Sequence, residues 1–122
     1  MLTKIEGLPD YVAAFTATGE VNKADYENMV IPEIDRVDKL HGHIHFLYVL
    51  QTTLKNFSAG AWLEDMWVGI KHYRGWKKIA IVSDEDFVKG LTSNLAVFIP
   101  GKTKTFKLAE LEAAKKWVAE EE

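Results

Sequence analysis

The chain has 122 residues and a formal net charge of −3, with 48% hydrophobic and 27% charged residues. That length and balance suit one folded domain spanning residues 1–122, too short for a barrel enzyme of about 250 residues and too acidic for bulk nucleic-acid binding. With no cysteine there is no disulfide framework, thiol nucleophile or thiolate metal site.

Residues 2–5 read as a short edge strand and Gly7-Leu8-Pro9-Asp10 as a turn. Tyr11 to Thr18 reads as a strand ending at Gly19, near enough in sequence to pair with the first as a hairpin. Asn22 is a helix N-cap with Asp25 three residues on, and Tyr26, Met29, Val30, Ile34 and Val37 keep helical spacing. Pro32 removes a backbone donor inside that pattern, so a kink is expected there. His43 to Leu50 is strand-like and almost wholly apolar apart from His45, the pattern of a central strand covered on both faces.

Residues 59–74 form an amphipathic helix candidate, and Lys78 to Val82 form the next buried strand. Ser83 caps a further helix, with Phe87, Val88, Leu91 and Leu95 on one face and Asp84, Glu85 and Asp86 in its first turn. Thr103 to Leu108 alternates as a short strand. Ala109 to Ala119 is a last helix, with Leu111, Ala114 and Val118 inward and a Glu112–Lys116 pair outside. The order β-β-α-β-α-β-α-β-α predicts an α/β fold with a largely parallel sheet and right-handed crossovers. Ligands in such sheets favour the carboxyl ends of the strands.

Motifs for catalysis are absent. There is no Gly-x-Ser-x-Gly elbow, no phosphate-binding Gly-x-x-x-x-Gly-Lys loop and no Gly-x-Gly-x-x-Gly fingerprint. No carboxylate spacing singles out an acid–base pair, so no catalytic residue, metal or cofactor is expected. His41, His43 and His45 are the one metal-like cluster; His43 and His45 share a face of an extended strand, but no third ligand is identified beside them. They read as a solvated turn leading into a strand.

The segment Phe57 to Trp76 carries three of the four tryptophans. On a helix Ala59, Trp62, Leu63, Met66, Trp67, Ile70 and Tyr73 fall on one broad apolar face. Residues 66–82 contain no acid but hold Lys71, Arg74, Lys77 and Lys78. Such a face can be core, can line an apolar cavity, can anchor in a membrane surface or can pack in a homodimer. Phe57, Trp62, Met66, Trp67, Ile70 and Tyr73 are the candidate ligand contacts. Lys71, Arg74, Trp76, Lys77 and Lys78 are the candidate membrane-surface contacts. Gly60, Gly69 and Gly75 suit a movable lid.

Gly19-Glu20-Val21, the strand His45–Leu50, the Trp-rich segment, Gly75 to Val82, and Thr105-Phe106-Lys107-Leu108 leading to Ala114 through Val118 together resemble the SpoIIAA-like family, whose fold is that of STAS domains. The resemblance spans nearly the whole chain. It implies a mixed five-stranded sheet flanked by about four helices, and a non-enzymatic role. Separately, the amino-terminal residues lack the apolar run of a signal peptide and the longest apolar stretch, Phe46–Leu50, is short of a bilayer span, so the cytoplasm is the expected compartment, with peripheral attachment to the inner face of the membrane as a variant. One branch is similar to Sec14/CRAL-TRIO lipid carriers, with a hydrophobic small molecule or lipid under a mobile helix. The other is a protein-interaction switch of the anti-sigma-factor-antagonist kind, phosphorylated at a serine that Ser58 matches by position. Phe57 and Ala59 depart from that switch pattern. The Trp-rich face favours the first branch.

Overall fold

The computed structural model describes residues 2–19, 23–51, 75–84 and 101–120. Five strands form one sheet in the order β1-β2-β3-β4-β5: β1 (Leu2–Lys4), β2 (Val12–Ala17), β3 (Ile44–Leu50), β4 (Trp76–Val82) and β5 (Lys102–Phe106). β1 runs antiparallel to β2, with Leu2 opposite Ala17, and every other pairing is parallel. The mixed five-stranded sheet expected from the sequence is therefore present. So is the hairpin, closed by Ile5 N–H donating to Ala14 O and Val12 N–H to Pro9 O, both at 3.0 Å.

Helix α1 (Lys23–Asp25) runs into a π-helical stretch, Tyr26–Val30, and then into α2 (Ile31–His41). Pro32 occupies the first turn of α2. Its missing N–H leaves an upstream carbonyl unclaimed, and the interruption takes the form of a change of helical register just before it. Gly42 closes α2 in the left-handed region at φ 70°, its N–H donating to Asp38 O at 2.9 Å. A side chain there would meet the Cβ–carbonyl clash that glycine avoids.

β3 is the middle strand, and all seven of its residues are buried. Its side chains alternate between two cores. Ile44, Phe46, Tyr48 and Leu50 join Phe15 and Trp76 against Val30, Ile34 and Val37 of the helical layer. Leu47 and Val49 join Val12, Ala80, Val82 and Phe106 against Ala114 and Val118 of α3 (Leu111–Ala119), which follows a 3-10 turn at Leu108–Glu110. Two helices on opposite faces therefore explain the continuous apolar run of β3.

Asp84 reaches across to the turn that precedes α3. Its Oδ1 accepts the N–H of Leu108 at 3.0 Å, holding the 3-10 turn that opens the α3 layer. On α3 the external ion pair is Glu112 with Lys115, at 3.5 Å, in place of the expected Glu112–Lys116 pair. The helices expected over 59–74 and after Ser83 lie outside the described residues.

Candidate functional site

β3 and β4 do not stay in register at their amino ends. Ile44 faces Trp76, but His45 faces Lys78, so Lys77 has no partner on β3. One extra residue reverses the facing of everything before it. Trp76 consequently points into the first core, with its ring centroid 6.1 Å from that of Phe46 in an edge-to-face contact. Lys78 points to the opposite face, towards α3.

Both are buried, Trp76 at 4% and Lys78 at 1% exposure. This corrects their assignment as membrane-surface contacts: neither side chain reaches the surface. Trp76 completes an aromatic cluster, and Lys78 has a different use.

The last carbonyls of a helix lack intrahelical donors and carry the negative end of its dipole. In α3 the last three residues find donors on two strands and on the turn just before β2. Lys78 Nζ donates to Trp117 O at 2.9 Å and lies 4.9 Å from the centroid of the Trp117 ring. His45 Nδ1 lies 2.6 Å from Val118 O. A carbonyl only accepts, so Nδ1 carries the hydrogen. The Tyr11 hydroxyl donates to Ala119 O. The Tyr11 and His45 rings meet edge to face at 4.8 Å. A residue just before β2, one on β3 and one on β4 thus clamp the carboxyl end of α3.

Beside this clamp, Tyr11, His41, His43, His45 and Lys77 line a cavity of about 290 Å³. It lies at the amino ends of β2, β3 and β4, opposite to the strand ends favoured by the general rule for parallel sheets. His43 precedes β3 and is exposed, whereas His45 is buried, so the two imidazoles that share a face differ sharply in environment. Among the described residues, no group of three His, Asp or Glu side chains has the arrangement of a metal site.

One wall is braced from outside. His41 Nε2 lies 3.1 Å from Asp10 Oδ2, and Arg36 Nη1 lies 3.0 Å from Asp10 Oδ1. The His41 hydrogen bond and the Arg36 charge hold the Asp10 carboxyl below its ordinary value. Arg36 also engages Glu33, with Nε 2.7 Å from Oε1, and Lys4 Nζ approaches the other Glu33 oxygen at 3.2 Å. Burial pushes the Glu33 carboxyl up, but hydrogen bonds from Arg36 and Lys4 outweigh it and leave it lowered. The Glu33 hydrogen bond correspondingly raises Arg36.

Of the residues singled out in the sequence, Phe57, Ser58, Trp62, Met66, Trp67, Ile70, Lys71, Tyr73 and Arg74 lie outside the described residues, as does nearly all of the segment expected to act as a lid. Lys77 is half-buried in the cavity wall. Sequence reasoning did not find Tyr11 or the capping roles of His45 and Lys78. The available signal was a lone polar residue at an inward position of each apolar strand, which demands a buried partner. Among the described residues no helix is long and apolar enough to cross a membrane.

Residues 12–119 match the SpoIIAA-like family. A solved structure from Shewanella loihica PV-4, an uncharacterized protein from the DUF3478 family with a SpoIIAA-like fold, is similar at 26% identity and a TM-score of 0.64. The alignment covers 97% of this chain and 92% of that one. Comparison with curated proteins gives no match.

Proposed function

The chain belongs to the SpoIIAA-like family, a STAS-type domain, and from that premise we propose that it is a non-enzymatic binding domain for a hydrophobic or lipid-like ligand that associates reversibly with membrane surfaces. The observation that carries this reading is the pattern of Trp62, Met66, Trp67, Ile70 and Tyr73 at helical spacing. The fold supports it by position. Leu50 ends β3 and Trp76 begins β4, so the segment that carries this pattern joins two neighbouring parallel strands. Tryptophan and tyrosine favour boundaries that are dry on one side and wet on the other. Lys71 and Arg74 supply charge for anionic headgroups, at about 1 kcal/mol each near the surface. Lys78 does not, because α3 uses it.

The test is co-sedimentation with vesicles of phosphatidylglycerol and phosphatidylcholine at low salt. The Trp62→Ala/Trp67→Ala variant pellets less than the wild type, and native mass spectrometry of the wild type retains a small lipophile. Equal pelleting of both proteins overturns the membrane reading. A phosphorylation switch at Ser58 is the competing reading. It rests on the position of Ser58 alone, and Phe57 and Ala59 weigh against it.

A further inference from the structure

The cavity at the amino ends of β2, β3 and β4 has a chemistry that the proposed apolar site does not share. Among the described residues, the five lining side chains each carry a nitrogen or hydroxyl, and none carries a carboxylate. Lys77 brings a formal charge to the wall, and among the described residues it has no ion-pair partner. Asp10, which touches His41, is already engaged by Arg36. The volume of about 290 Å³ lies near the lower bound of small-molecule sites, roughly 300 Å³.

The inner wall is also fixed in advance. His45 and Tyr11 are held by their hydrogen bonds to Val118 O and Ala119 O, and they brace each other edge to face. Lys77 is there because of the register shift. In an unshifted pairing it would sit within the ladder opposite a β3 residue. A half-buried ammonium beside imidazoles, with no carboxylate among the described lining residues, is complementary to a compact anion, and lysine binds phosphate as a point charge.

We propose that this cavity binds a small oxyanion, a phosphate or carboxylate group, with Lys77 as its charge partner and His43 at its rim. The proposal uses none of the residues of the apolar segment, and either reading can fail without the other.

The experiment is an NMR titration of the full chain with inorganic phosphate at constant ionic strength, reading the ring Cε1–H signals of His41, His43 and His45. A parallel titration uses vesicles of phosphatidic acid in phosphatidylcholine, against phosphatidylcholine alone. Saturable shifts at these histidines are expected, with affinity at least tenfold weaker in Lys77→Met, preserved in Lys77→Arg and reduced a few-fold in His43→Ala. Shifts with phosphate identify a soluble ligand. The same shifts with phosphatidic acid vesicles only identify a headgroup. Trp62→Ala/Trp67→Ala binds phosphate as the wild type does, which separates this test from that of the apolar site. No saturable shift with either probe overturns the proposal. Shifts that survive unchanged in a folded Lys77→Met, or in His43→Ala and Lys77→Met alike, overturn it too.

Discussion

Replacing His45 by Phe tests the clamp on α3 most directly. Phenylalanine keeps an aromatic ring, its burial and its edge contact with Tyr11, and removes the ring nitrogens, including the Nδ1 that donates to Val118 O. Val118 is fully buried, so the stranded carbonyl has no easy access to water. An orphaned buried acceptor costs about 1–3 kcal/mol. In a chain of 122 residues each kcal/mol moves Tm by about 4 °C, so His45→Phe lowers Tm by roughly 4–12 °C. Tyr11→Phe removes the donor to Ala119 O, but Ala119 is only half-buried and water replaces the hydroxyl, giving about 0.5–1.5 kcal/mol. Lys78→Met keeps the stem packed and removes a buried amine. Trp117 O retains the Glu120 N–H at 3.3 Å, and relief from burying the amine offsets the lost bond, so the change stays within about 1 kcal/mol of zero. Urea unfolding followed by far-UV circular dichroism gives the order, read from midpoints at unchanged slope. If His45→Phe costs no more than Tyr11→Phe, or Lys78→Met costs most, the clamp does not work through buried carbonyls as argued.

Two further stability predictions concern the acid range and the strand register. Glu33 is lowered in the folded state, so its contribution is complete above the ordinary carboxylate range and is lost as pH falls through its lowered value. Glu33→Gln therefore flattens the acid limb of the stability curve in urea unfolding between pH 7 and pH 3; an unchanged limb refutes the assignment. A Cβ on Gly101 would lie 2.5 Å from Trp76 O and 2.7 Å from Lys77 O, both rigid backbone. Gly101→Ala accordingly destabilises by about 1–3 kcal/mol in the same assay, and wild-type stability would mean that β5 does not press on the register shift.

All five strands and the α2 and α3 layers were legible in the sequence because each is set by local periodicity and by turn residues. The seven-residue apolar run of β3 announced a central strand, and that is where it lies. What escaped is set by partners distant along the chain. A charge count groups Lys78 with Lys71, Arg74 and Lys77 as membrane-surface contacts, because it ignores the alternation that places Lys78 with Ala80 and Val82 on an inner face. Trp76 was misplaced for a subtler reason. Plain alternation puts it on the same face as Lys78, and only the register against β3 turns it to the other core. The partner of His45, Val118, lies 73 residues away, beyond the reach of any motif.

The one-residue shift at Lys77 joins these observations into one structural cause. It sends Trp76 to the helical layer of α2, leaves Lys78 to bind the end of α3, and sets Lys77 in the cavity wall between them. Three consecutive residues thus serve two cores and a polar site. A tandem of two lysines would otherwise alternate, one charge on each face of a covered sheet, and the charge facing the first core would have met Ile44 and Phe46 without a partner. The shift resolves that conflict, and Gly101 keeps it in place by allowing β5 to approach the carbonyls of Trp76 and Lys77. The cavity is therefore a consequence of how the sheet accommodates Lys77-Lys78, whatever residues 57–74 contact.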